Sequence, residues 1–173
     1  MAVSLYDLSV GTYQQILGSI SGVLDKGKAH AEANGMNLGE LVETRLADDM
    51  LPLSFQISST AHHSLGAIEG IRAGVFSPSG MRSDLDYDGL HDLVKTAIEA
   101  LGKVSADEIN RLEGGDMRFE FGDRKIPFTA EGFIQSFSLP NFYFHATTTY
   151  DILRMKGVPL GKMDFMGAMK IKS

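Results

Sequence analysis

The feature that most limits how this chain can fold is the spacing of its apolar residues. Near the start, Tyr13, Ile16, Leu17, Ile20, Val23 and Leu24 recur at intervals of one, three and four. An α-helix turns once in about 3.6 residues, so this spacing lines one face of a helix and no single face of a strand. It predicts a helix over 9–34, stopped by Gly35, since glycine most readily takes the left-handed conformation in which a chain leaves a helix. The period returns in Ile57, Ala61, Leu65 and Ile68, and again in Leu90, Leu93, Val94, Ala97, Leu101 and Val104. A last long helix is expected from Pro140 to Lys156, ending at Gly157 with Pro159 just beyond. Each such helix carries one apolar stripe, and four stripes close a shared core where three would leave one exposed. The reading is a mainly α protein, a four-helix bundle.

Shorter elements fill the intervals. A short helix over 38–47 has Asn37 as its N-cap. Over 51–57 apolar and polar residues alternate as in a strand, but Pro52 suits a first helical turn and helical spacing follows; one helix over 51–73 is expected. The Ser-, Pro- and Gly-rich stretch 74–84 reads as a loop, and Asp86 caps the helix after it. Ser105 and Glu108 form a capping-box pattern for another short helix. Residues 117–121 and 125–128 alternate in polarity around Gly122 and Asp123, a small β-hairpin that must pack on the bundle to persist. Thr129 caps a short helix through Phe137, and the tail after Gly157 is expected to fold back.

No linker, repeat or low-complexity tract interrupts the 173 residues, so one domain over 1–173 is expected. The net charge of −6 has its lysines and arginines scattered among carboxylates, which argues against nucleic acid as a partner. There is no cysteine, which removes disulfides, thiolate metal ligands and a cysteine nucleophile together. Any metal would have to be held by histidine, carboxylate, amide or hydroxyl groups. Residues 1–6 lack the basic region and long apolar run of a secretory leader, and no apolar segment approaches the ~20 residues that span a bilayer. A cytoplasmic protein with no membrane partner is the expectation.

Two segments carry a resemblance. The run Asn141-Phe-Tyr-Phe-His145-Ala-Thr-Thr-Thr-Tyr150-Asp-Ile-Leu-Arg154-Met-Lys-Gly157-Val-Pro-Leu-Gly161-Lys-Met-Asp164-Phe-Met-Gly167 resembles the closing signature of an uncharacterised bacterial and fungal domain family. The segment 56–66, with Ala61-His62-His63-Ser64-Leu65-Gly66, resembles that family's second-helix motif. The family is similar to the DinB/YfiT-like metalloenzymes, and the likeness covers nearly the whole chain. It implies a DinB/YfiT-like four-helix bundle, often a homodimer. In the wider superfamily a divalent metal such as zinc or nickel is held by three histidines, one on the second long helix and two spaced four apart on a later one. Carried over by motif, His63 or its neighbour His62 matches the first ligand and His145 matches the second of the pair. Four residues before His145 stands Asn141, so the implied metal ligands are His63 and His145 with the triad incomplete.

The helical wheel favours His63 over His62 as the inward residue. His63 shares its face with Gln56, Ser59, Thr60, Gly66 and Gly70, whereas His62 shares its face with Leu51, Phe55, Leu65 and Glu69. Together with the positions that the resemblance implies on the last helix, the expected ligand pocket is Gln56, His63, Asn141, His145 and Thr149. Gln56 reads equally as a pocket amide or an exposed glutamine, and Thr149 as bonded to the His145 ring or to its own helix backbone. His30 and His91 are expected on solvated faces. No Ser-His-Asp order, glycine-flanked serine or carboxylate-rich helix pair is legible, so no catalytic residue is assigned. Three functions are open: a metal-assisted enzyme, where related superfamily branches imply thiol or electrophile substrates; a metal-free module binding a small molecule; and a ligand-free dimerisation protein. The first requires the ring nitrogens of His63 and His145 to approach a common point, whereas the third expects them far apart or sealed in by side chains.

Overall fold

The computed structural model describes residues 3–80, 82 and 84–172. Outside the described residues lie Met1, Ala2 and Ser173 at the ends of the expected domain, and Met81 and Ser83 of the expected loop. Four helical rods among the described residues build the core. The first is a π-helical turn, Asp7–Gly11, running into α1 (Thr12–Ala33), so it begins ahead of the expected start at residue 9. The second is α3 (Leu53–Ala61), a π-helical turn at His62–Gly66, and α4 (Ala67–Ala73). The third is α5 (Tyr87–Leu101). The fourth joins α7 (Ala130–Phe133), a π-helical turn at Ile134–Ser138, and α8 (Leu139–Met155).

That last rod corrects the expectation of two separate helices broken at Pro140. Proline lacks the amide an α-helix needs and its ring crowds the preceding turn. The wide turn directly before Pro140 opens the hydrogen-bond ladder there, so the helix continues through it. The rods close a ring: α1 packs on α5 and α8, and α3 packs on the same two. Leu17, Ile20 and Leu24 of α1 meet Leu53 and Ile57, Leu90 and Val94, and Phe142 and Ile152 from the other three, all without exposed surface.

The caps follow the sequence with two departures. Asn37 accepts from the amides of Gly39 and Glu40, Asp86 from Gly89 at 2.8 Å and Thr129 from Gly132 at 3.1 Å. The helix Asn37 opens, α2 (Leu38–Val42), is shorter than the expected 38–47, because the chain turns at Thr44, whose carbonyl accepts from the Leu53 amide at 2.8 Å. Ser105 caps α6 (Ala106–Asn110) at 3.3 Å, but the Glu108 carboxylate leaves the expected box and pairs with Arg72 at 2.6 Å. Gly35 and Gly157 end their helices at φ of 64° and 88° as expected. The tail folds back through α9 (Lys162–Met166) onto α1, where Gln15 Nε2 donates to the Met166 carbonyl at 2.9 Å.

The hairpin is larger than expected. Strands β2 (Asp116–Phe121) and β3 (Arg124–Thr129) pair antiparallel, and Val75–Phe76 of the expected loop adds a parallel strand, β1, beside β2. Arg118 donates its amide to Gly74, which turns the chain out of α4 at φ 72° and aims Phe76 back at the bundle. The register sets Phe76 beside Phe119. This three-stranded sheet supplies one wall of the site.

Candidate functional site

Both histidines of the second rod sit in its π-turn. A π-turn bonds each amide one residue further back than an α-turn, which widens the helix and leaves carbonyls short of partners. Hydroxyls take those places: Ser64 Oγ lies 2.9 Å from the Thr60 and Ala61 carbonyls, and Ser138 Oγ donates to the His63 carbonyl at 2.6 Å. Ser138 belongs to the π-turn of the fourth rod and is also bonded to Tyr13 Oη at 2.7 Å. Three rods thus meet on the backbone of His63, and burial holds the Tyr13 phenol well above its ordinary pKa.

The widened turn brings both adjacent rings to one cavity, their centroids 5.7 Å apart. His62 stacks on Phe76 at 4.5 Å and its Nε2 donates to the Ser77 carbonyl at 2.8 Å. It leans over Gly66, where a Cβ would stand 2.8 Å from His62 Nδ1, so this glycine gives the ring its room. His63 faces the opposite rod. Its ring lies nearly parallel to that of His145, 20° between planes and 5.7 Å between centroids.

His145 is oriented by Gln56. Gln56 Nε2 lies 2.8 Å from the Leu51 carbonyl, which can only accept, so the amide nitrogen must point there. Its Oε1 then lies 2.8 Å from His145 Nδ1 and must receive a proton from that nitrogen. His145 is therefore the Nδ1–H tautomer with a lone pair on Nε2. Burial pushes the pKa of its ring down to about 4. His63 falls to about 3, chiefly through burial and further through the neighbouring His145 and His62. Both rings are neutral near pH 7.

Asn141 also lines the cavity, but its Nδ2 donates to the Phe137 carbonyl at 2.7 Å, leaving Oδ1 as its free end. Thr149 does not reach the cavity: it is buried, and its hydroxyl donates to the His145 carbonyl at 2.9 Å. Gln56, 2% exposed, stands behind the cavity wall as the support of His145. The walls are Phe55, Phe76, Phe119 and Phe137, with Phe119 and Phe137 4.8 Å apart between centroids. The cavity measures about 260 Å³, and no Asp, Glu, Lys or Arg is among the described residues lining it. Elsewhere His91, expected on a solvated face, is buried at 4% exposure. Its Nε2 lies 2.8 Å from Ser21 Oγ, because α5 turns this edge onto α1.

The expected metal can be tested on its donors. Among the described residues no three His, Cys, Asp or Glu side chains gather so as to hold an ion. His63 and His145 offer two imidazoles, and the remaining position offers the amide oxygen of Asn141, a weak ligand for zinc or nickel. This donor set does not fit a closed zinc or nickel centre.

Four rods around one core, with a histidine-bearing cavity between the second and fourth, define a mainly helical bundle of the DinB-like class. Residues 5–166 match the family described as "Domain of unknown function (DUF1993)", and the chain belongs to it. Among solved structures the chain is similar to a DinB family member protein from Shewanella denitrificans. The two share 26% identity over 98% of this chain and 95% of that one, with a TM-score of 0.81. No curated protein matches the chain. No helix among the described residues is long and apolar enough to cross a membrane.

Proposed function

We propose that this chain is a small-molecule binding protein whose ligand enters the cavity between His63 and His145, with no resident metal needed. One observation carries this reading: Gln56 spends a buried side chain on fixing His145, so that a lone pair is aimed from Nε2 toward an aromatic-walled space. The same bond also satisfies a nitrogen that burial takes from water; what it adds here is that the free Nε2 belongs to a ring that lines the cavity. Neutral imidazoles and apolar walls with a few placed polar groups are the usual make-up of a small-molecule site. A second, metal-assisted reading is favoured by His63 Nδ1, which is buried without a hydrogen-bond partner.

The test is thermal unfolding of protein purified without a histidine tag, screened against metabolites with a chelator present. A stabilising compound whose effect disappears in His145→Phe supports binding without a metal. Stabilisation seen only after zinc or nickel is added, at one ion per chain, supports the second reading instead. No stabilisation under either condition refutes both.

A further inference from the structure

Ser59, Ser79 and Asn141 also line this cavity, but the hydrogen-bonding polarity of its facing histidine pair is the feature that narrows the ligand. His145 presents an acceptor, because its proton is held on Nδ1 by Gln56. His63 presents the opposite. Its Nδ1 is buried and unpartnered, and a buried N–H without an acceptor is rarer and more costly than a buried lone pair. The proton therefore sits on Nε2, on the ring edge left to reach the cavity. No hydrogen bond joins the two rings among the described residues, so each keeps its cavity-facing nitrogen for something else. Phe55, Phe76, Phe119 and Phe137 surround this pair, and the described lining residues offer no charge to balance an ion.

Resting on the binding reading above, we infer that the cavity takes an uncharged, single-ring aromatic compound bearing a hydroxyl group. One hydroxyl oxygen accepts from His63 Nε2 and donates to His145 Nε2, bridging the pair. The size agrees: a dry apolar cavity of about 150 Å³ suffices for benzene, and the space here is about 260 Å³. A carboxylate would present only acceptors to His145 and bring an unbalanced charge. A plain hydrocarbon would leave both nitrogens without partners once water is displaced.

The experiment is ligand-observed NMR on the full chain with chelator present, using benzyl alcohol, toluene and benzoate as probes. Benzyl alcohol should bind about tenfold more tightly than either of the others, the worth of one well-matched buried hydrogen bond. In Gln56→Leu, where His145 is released from its tautomer, the ratio of benzyl alcohol to toluene affinity should shrink to about threefold or less. A ligand-free spectrum matching that of the native chain would show that the variant is folded. If toluene or benzoate binds as tightly as benzyl alcohol, the donor–acceptor assignment is overturned and the binding reading stands. If none of the three binds at millimolar concentration, the inference falls; whether the binding reading falls with it is decided by the metabolite screen.

Discussion

Acidification should destabilise this protein through the two cavity histidines, and the amount can be worked out. In an unfolded chain a histidine titrates near 6.5, whereas burial holds His145 at about 4 and His63 at about 3 in the folded protein. Above pH 6.5 each ring is neutral in both states and the pH has no leverage. As the pH falls below 6.5, the unfolded chain binds protons that the folded one refuses. Stability is therefore lost progressively from 6.5 down to about 4 for His145 and to about 3 for His63. The slope is about 1.4 kcal/mol per pH unit per ring, so moving from pH 7 to pH 5 costs about 2 kcal/mol for each, or about 4 kcal/mol together. Solvent entering the cavity mouth lowers this, and about half is the smallest effect expected. Urea unfolding followed by far-ultraviolet circular dichroism at both pH values measures the loss. His62 and His91 are also held below their ordinary pKa by burial, so the native chain alone does not isolate the pair. Comparison with His63→Phe isolates the part that belongs to His63: the pH 7 to 5 loss should shrink by about 1–2 kcal/mol. An equal loss in the native chain and His63→Phe would refute the claim that His63 is kept neutral by its site.

Two further outcomes follow from single contacts. Nitrogen-15 spectra of the imidazoles should show His145 protonated at Nδ1 in the native chain and a mixture of tautomers in Gln56→Leu; a native Nε2–H form would contradict the amide lock. At Gly27 a Cβ would stand 2.4 Å from Tyr87 Oη, whose hydroxyl donates to the Leu24 carbonyl at 2.8 Å. Gly27→Ala should therefore cost about 2–3 kcal/mol of stability by thermal melt, and an unchanged melting temperature would show that α1 and α5 separate more easily than their contact implies.

The parts of the fold legible in the sequence were those governed by period and punctuation. Apolar spacing located the long helices, and Asn37, Asp86, Thr129, Gly35 and Gly157 marked ends that the structure uses. The π-turns were not legible, because they arise where packing between rods outweighs the local ladder, and Ser64 and Ser138 read equally as ordinary helical serines. Their consequence was missed too: an ideal helix sets His62 and His63 on different faces, whereas the widened turn lets both line one cavity. Phe76 and Phe119 were missed because one lay in an expected loop and the other in a hairpin of unassigned placement. The parallel pairing that sets them side by side depends on contacts between distant parts of the chain. His91 was misread because a helix contacting two neighbours has more than one buried edge, and the wheel marks only the apolar one.

The incomplete triad and the glutamine lock support one another as an explanation of the site. An imidazole used as a donor or acceptor must have its tautomer fixed by a partner on the far nitrogen, and Gln56 is such a partner because its own orientation is dictated by Leu51. A lock of this kind suits a metal ligand and a hydrogen-bonding histidine equally, so it does not by itself choose between them. Asn141 does choose. At the position where the resemblance implies a third imidazole, its amide nitrogen is turned onto the Phe137 carbonyl, beside the π-turn that admits Pro140. That bond leaves the amide oxygen, a weak ligand for zinc or nickel, as the free end of the side chain. With Asn141 so committed, the two rings serve, in the reading proposed above, as a donor and an acceptor beside aromatic walls. In such a pair the acceptor must stay neutral, since a protonated His145 would offer only donors, and burial holds that ring well below its ordinary pKa.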